Sequence, residues 1–351
     1  SGSKPGVRPN WKNLSPSFMA LARSGWEADK YKSPGDSIRH INPSEIYKEW
    51  ASLQFGTKAA TQLGNLFTSL DGGEFKLGSK DRHANFPRTA DWGKKGPGMI
   101  KPNYEAWEKY QKKYDFIKTY ENAKNLVVGK GNLERYNYWL NTFYYAKYQG
   151  NVGCILADME RLNGQIGKAK SKEEKIKLAN ELIAKRNEVA KAWEKMGDCL
   201  MQTVSTNGEM GTIANLEQHN LGSLNQIHQY DKVLTELLGD IPEIKMSTAY
   251  KGETRIVMPT RQTIIKQGES LVTKVRILSS QKIASVKVFY KALNEKNYTE
   301  KALKNVNRNV YQLEITPKEY NQNSFTYYVE VTTGTKTVRS PQSEPEAVTV
   351  W

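Results

Sequence analysis

The sequence predicts an α + β multidomain protein: a mainly α-helical bundle or array followed by a C-terminal β-sandwich of immunoglobulin or fibronectin III character. Three observations lead there. Apolar residues recur at three- and four-residue spacing through much of positions 43–238. Beyond Pro242 the period drops to two. The chain has 351 residues, enough for two or three domains.

The first 56 residues read as irregular and then helical. Pro34-Gly35-Asp36 is a turn signal. Asn42-Pro43-Ser44-Glu45 opens a helix: Asn42 or Ser44 can cap it, and Pro43 suits the first turn. Ile46, Trp50 and Leu53 form its apolar stripe, and Gly56 ends it. A second helix follows to Leu70, with Ala60, Leu63, Leu66, Phe67 and Leu70 inward. Positions 71–101 are punctuated by Gly72-Gly73, Pro87, Gly93 and Gly96-Pro97-Gly98. So long a loop inside a domain is functional or disordered. Phe75, Phe86 and Trp92 give it packing groups, which predicts an ordered loop.

Helical spacing returns with Trp107, Tyr110, Tyr114, Ile117 and Tyr120. It continues over Asn132 to Asn163 through Leu133, Tyr136, Leu140, Phe143 and Tyr144. Ser171 to Val204 repeats it through Ile176, Ala179, Ile183, Ala190, Trp193, Leu200 and Val204, with Ser171 and Glu174 as a capping box. A last helix is expected over Ser223 to Leu238. Positions 57–240 therefore read as one helical domain. In 250–351, Leu271, Val275 and Ile277, then Val286, Val288 and Tyr290, then Phe325, Tyr327, Val329 and Val331 alternate with polar residues. That is the half-buried strand pattern of a sandwich. The switch at 240–255 is the sharpest boundary.

Cys154 and Cys199 are too few for a disulfide framework. With the turn placed at Gly164–Ser171, Cys154 faces a residue near 181. Cys199 then lies roughly 27 Å further along, at about 1.5 Å per residue. A disulfide needs Cα atoms within about 7 Å, so two free, buried thiols are expected.

The composition is 38% hydrophobic and 25% charged, with net charge +15, that of a globular chain with a lysine-rich surface. The excess of base suits an acidic partner: anionic polysaccharide, nucleic acid or a membrane surface. The lysines are scattered, and the dense stretch Lys168 to Lys177 is interrupted by Glu173 and Glu174, which speaks against a nucleic-acid arm. No apolar run is long enough to cross a membrane. No leader is visible, and Ser1-Gly2-Ser3 reads as an expression scar.

Phosphate-loop, His-Glu-x-x-His and Cys-x-x-Cys motifs do not occur, and no cofactor is expected. His40, His83, His219 and His228 fit no zinc spacing, so no metal is expected either. Three constellations remain. Trp26 follows the apolar run Phe18-Met19-Ala20-Leu21 and can face a sugar ring or fill a core. The loop His83 to Gly93 gathers His83, Arg88, Asp91 and Trp92 in irregular backbone, suited either to packing or to carbohydrate contact. Glu209 and Glu217, in a Gly-punctuated break between helices, are candidates for the paired carboxylates of a glycosidase. Helix capping and a solvated surface are the simpler roles for both.

Asn42-Pro43-Ser44-Glu45-Ile46-Tyr47-Lys48-Glu49-Trp50-Ala51, with Gln54-Phe55-Gly56, resembles the segment after the last barrel strand in large glycoside hydrolases of the α-glucuronidase type. The stretches Gly131 to Phe143 and Gly211 to Gln218, and Tyr327-Tyr328-Val329-Glu330, resemble later parts of bacterial hydrolases of this kind. The resemblance implies that 1–56 is the tail of a barrel-like domain. It also implies that the catalytic barrel lies elsewhere as a partner, and that the protein works outside the cytoplasm, in the periplasm or at the cell surface. No position here matches the family's catalytic carboxylates.

The expected role is the accessory C-terminal portion of a polysaccharide-degrading glycoside hydrolase, lending residues to carbohydrate binding. The alternative is a stand-alone glycan-binding protein, for which eight Trp and nineteen Tyr supply stacking surfaces. A nucleic-acid binder is the weaker alternative.

Overall fold

The structure is a computed structural model. It describes residues 16, 19–23, 42–73, 85–87, 100–204, 224–244, 246, 249–258, 262–321, 323–342 and 344–351. The chain divides into two compact units: Ser1–Cys199 with Ala214–Ser247, and Leu200–Ile213 with Thr248–Trp351.

The first unit is helical. Helix α1 spans Pro43–Phe55, and its N-cap Asn42 accepts a hydrogen bond from the Ser44 backbone N–H. Gly56, at φ +93°, closes it and leads directly into α2, Thr57–Leu70. Only glycine takes that backbone angle without strain. The two helices cross so closely that a Cβ on Gly64 would sit 2.6 Å from the Lys48 Cα. The buried arc of α1 is Ile46, Trp50, Ala51 and Phe55. Leu53, expected inward, is 65% exposed, because the arc centres on Trp50 and Ala51 and leaves position 53 at its rim. On α2, Ala59 rather than Ala60 is buried.

Aromatic rings fill the core. Trp50 meets Phe55, Phe67 and Trp139 edge-on at 5.5, 4.7 and 5.7 Å. Such T-shaped contacts add to plain area burial. Positions 107–126 do not form one helix. They form α3 (Trp107–Tyr110), a 3₁₀ turn at Gln111–Tyr114, α4 (Phe116–Asn122) and a second 3₁₀ turn at Lys124–Leu126. The buried positions Tyr114, Ile117, Tyr120 and Ala123 recur every three residues, the period of the tighter helix. Of the 71–101 loop, Asn85 and Phe86 are tied to the end of α2: both backbone N–H groups donate to Leu70 O. Phe86 packs on Phe116 and Phe143.

Helix α5 runs Lys130–Lys168, through both Gly164 and Gly167, and α6 runs Lys172–Met201. Ser171 Oγ accepts from Glu174 N–H, as a capping box requires. The turn is therefore shorter and later than expected, and the hairpin register shifts. Lys185 lies 3.4 Å from Asp158, and Lys195 sits over the Tyr148 ring. In this register Cys154 faces Val189, and Cys199 lies roughly 15 Å further on at about 1.5 Å per residue, not 27 Å. Both thiols are free, Cys154 buried and Cys199 partly so. Burial pushes their pKa values up to about 11 and about 12. On α6 the buried positions include Ala179, Leu182, Arg186, Val189, Trp193, Met196 and Leu200, a three–four alternation that leaves Ile183 only partly covered. The expected last helix is broken into a 3₁₀ turn, Gln226–His228, and α7, Asp231–Leu238.

The second unit is built on two sheets around one core. Its strands are β1 (Arg255–Val257), β2 (Ile264–Ile265), β3 (Leu271–Leu278), β4 (Ile283–Ala292) and β5 (Thr299–Ala302). They continue as β6 (Lys304–Asn307), β7 (Val310–Ile315), β8 (Phe325–Thr333), β9 (Lys336–Ser340) and β10 (Glu346–Val350). One sheet has the order β1-β3-β7-β6; the other has β2-β10-β8-β4-β5, with β9 also paired to β8. The shared core holds Leu271, Val275, Ile277, Leu313 and Ile315 from the first sheet. From the second it takes Val286, Val288, Tyr290, Phe325, Tyr327, Val329 and Val331. Tyr320 plugs one end, donating its hydroxyl to Glu269 O at 2.7 Å. Residues 200–204 join this unit because the Arg255 guanidinium on β1 donates to Gln202 O and Val204 O.

Two outcomes follow. Gly64→Ala should cost about 1–3 kcal/mol by overpacking the α1–α2 crossing. Gly164→Ala, with open space around it, should instead stabilise by up to about 1 kcal/mol. Denaturant melts of the two variants check this, and equal midpoints would contradict the close crossing. A chain of residues 250–351 should fold with β-type circular dichroism, and one starting at residue 200 should melt higher. Identical melting would mean the Arg255 contacts contribute nothing.

Candidate functional site

All seven sequence-expected site residues, Trp26, His83, Arg88, Asp91, Trp92, Glu209 and Glu217, lie outside the described residues. The structure draws attention to another place, the outer face of the larger sheet. Strands β4 and β8 pair antiparallel in register from Ser285/Thr332 to Ala292/Phe325. Their side chains alternate, so the register that sends Val288, Tyr290, Tyr327 and Val329 into the core sends Lys287, Phe289, Lys291, Thr326, Tyr328 and Glu330 outward.

Phe289 and Tyr328 face each other across the two strands and stack at 4.9 Å with ring planes 7° apart. On the far side of Tyr328, Arg339 from β9 lays its guanidinium 3.7 Å from the ring centroid. Tyr298, from the turn between β4 and β5, meets Tyr328 edge-on at 5.0 Å. Its hydroxyl lies 3.1 Å from Thr326 Oγ1, and Lys291 Nζ sits 5.1 Å over its ring. The result is a four-membered row, Phe289–Tyr328–Arg339 with Tyr298 set across it. Each of the four is only partly buried.

The electrostatics are mixed. Lys287 is tied to Glu300 at 3.0 Å, and Lys301 to Glu319 at 2.7 Å. Lys291 and Arg339 make no ion pair among the described residues, and the Arg339 Nε has no hydrogen-bond partner there. Glu330 pairs with Arg339 and with Lys287 in strand register and lies on the same face. The Tyr328 hydroxyl is held above the ordinary phenol pKa, first by burial and then by Glu330, while Arg339 pulls it down. Both faces of Tyr328 are occupied, so the row offers its crest: a phenol hydroxyl, guanidinium N–H groups, an ammonium and the Tyr298–Thr326 hydroxyl pair. That crest can bind hydroxyl- and carboxylate-bearing ligands.

A second polar cluster serves the fold. Buried Arg186 on α6 donates from Nε to Ile227 O at 3.1 Å, and its Nη2 lies 3.0 Å from Asp231 Oδ1. The latter is an ion pair without hydrogen-bond alignment, since that oxygen has no hydrogen-bond partner. His228 Nδ1 lies 2.8 Å from Asp231 Oδ2. Together these fasten 226–238 to α6. Among the described residues no group of three or more His, Cys, Asp or Glu is gathered that could hold a metal ion. No described helix is long and apolar enough to cross a membrane.

The sequence contained a signal for the outer row that alternation alone passes over. Phe289-Tyr290 and Tyr327-Tyr328 are paired aromatics. In a strand buried on one face, one of each pair must point to solvent.

No family model matches the chain, and no curated protein matches it, so the resemblance to α-glucuronidase-type hydrolases finds no counterpart there. Solved structures distantly similar to the chain include the following three. One is residues 217–571 of S. aureus TarS, at 13% identity and TM-score 0.22, covering 68% of this chain and 64% of that one. Another is S. aureus TarS, at 13% and 0.23, covering 64% and 41%. The third is the endo-beta-1,4-mannanase from Thermotoga petrophila, at 11% and 0.23, covering 88% and 61%. The chain spans less than two thirds of each of them, and likeness at this level carries no argument about function.

Arg339→Gln should raise the ionisation pH of Tyr328 further, because the guanidinium favours the phenolate. Ring-resolved NMR titration reads this directly, and a fall on substitution would contradict the cation–ring geometry.

Proposed function

We propose that the chain is a non-catalytic, glycan-binding portion of a carbohydrate-active protein, and that the outer face of the larger sheet is its binding surface. One observation carries the reading. The sandwich core is complete on its inner side, yet β4, β8 and β9 also hold Phe289, Tyr328 and Arg339 in a fixed, half-exposed row. A rigid amphipathic row with polar tips loses little conformational freedom when a ligand settles on it. Tyr and Arg are the side chains most often found to dominate binding surfaces.

The wider setting is the one the sequence suggested: an accessory portion beside a catalytic barrel, acting outside the cytoplasm. The strand order, β1-β3-β7-β6 against β2-β10-β8-β4-β5 with β2 parallel to β10, supports an immunoglobulin-type sandwich. The net charge of +15 supports an acidic glycan as ligand.

Affinity electrophoresis of the full chain through gels carrying neutral and uronate-rich polysaccharides tests the reading. At least one polysaccharide should retard the protein. Tyr328→Ala combined with Arg339→Ala should remove most of the retardation, while the circular dichroism spectrum stays as in the parent. Unchanged retardation in the double variant, or none with any polysaccharide, would refute it.

A further inference from the structure

Resting on the glycan-binding reading, we infer that the sheet face selects an acidic oligosaccharide, and that one sugar carboxylate is seated at the Lys291 end of the row. The argument is one of charge placement. Five charged side chains project from this face: Lys287, Lys291, Arg339, Glu300 and Glu330. Glu300 neutralises Lys287 directly. Glu330 lies level with Lys287 and Arg339 in the strand register, so that end of the face is balanced. Lys291 lies four residues further along β4, paired with Thr326, and makes no ion pair among the described residues. The nearest acid in sequence beyond it, Glu295, is occupied in accepting the Ala292 N–H at 3.1 Å.

What surrounds Lys291 completes a carboxylate seat. Its ammonium sits over the Tyr298 ring, whose hydroxyl is 3.1 Å from Thr326 Oγ1. One hydroxyl of that pair donates to the other, which keeps its own proton for a ligand. An ammonium beside a hydroxyl donor can bind the two oxygens of one carboxylate, and hydrogen bonds of this charged kind are the strong ones. Arg339 stands on the other side of Tyr328, its register four residues along β8 from that of Lys291. That is roughly 13 Å at about 3.3 Å per residue, longer than one sugar ring. The ligand that reaches both ends is therefore an oligosaccharide. Its carboxylate lies at Lys291, and the hydroxyls of a neighbouring sugar lie at Tyr328 and Arg339.

Titration calorimetry with the full chain tests this, using a galacturonate tetrasaccharide, its neutral methyl ester and a sulfated tetrasaccharide. The parent should bind the acid at least about tenfold more tightly than the ester, the worth of one charge-assisted contact. Lys291→Gln should abolish that preference, weakening the acid about tenfold more than the ester. Tyr328→Ala should weaken acid and ester alike. Binding of acid and ester with equal affinity, unaffected by Lys291→Gln, overturns the inference while leaving the glycan-binding reading in place. Preference for the sulfated ligand over the carboxylate overturns the carboxylate seat. Binding of none of the three overturns this inference, and the electrophoresis on polymers then decides the wider reading on its own.

Discussion

The pairing of β4 with β8 is the constraint on which the second unit depends. A one-residue slip would exchange the two faces, sending Val288, Tyr290, Tyr327 and Val329 to solvent and Phe289 and Tyr328 into the core. The core fixes the register through the volume of its branched and aromatic residues. The outer row is then placed as a consequence. A binding surface built this way needs no flexible loop to position it. Its precision is inherited from the burial of the opposite face, and cross-strand stacking adds to the sheet's own stability.

Much of this architecture was legible in the sequence, for physical reasons that differ between the units. Alternation over Val286, Val288 and Tyr290 predicts half-buried strands because side-chain direction in a strand is fixed at every step. Helical spacing predicts α1, α2, α5 and α6, and the Asn42 and Ser171 caps mark where two of them begin. The hairpin register was not legible. It turns on whether Gly164 and Gly167 end a helix, and here both sit inside α5. Glycine weakens a helix by only about 1 kcal/mol, which long-range packing overrides. The 3₁₀ turns around Tyr114 and Leu126 were missed in the same way, since spacings of three and four were read together as one α-period.

Polar groups gathered in irregular backbone are the ordinary sequence signal for a site, and the residues expected on that ground lie outside the described residues. His83 to Trp92 and Glu209 to Glu217 carry that signal. The outer row lies in regular strands, where an aromatic is ordinarily credited to the core. What distinguishes Phe289 and Tyr328 is parity: each stands next to an aromatic of the opposite face. Lys291 and Arg339 stand out only through geometry, since nothing in the linear sequence says that Lys287 has an ion-pair partner and Lys291 has none among the described residues.

The central claim is that the crest of this row, and not another surface, meets the ligand. Backbone and side-chain NMR shifts of the full chain, followed during titration with a galacturonate oligosaccharide, test it most directly. The account predicts saturable shifts at Phe289, Lys291, Tyr298, Tyr328 and Arg339, with the inward Val288 and Val329 nearly still. Shifts confined to the helical unit, with these five positions unmoved, would contradict it.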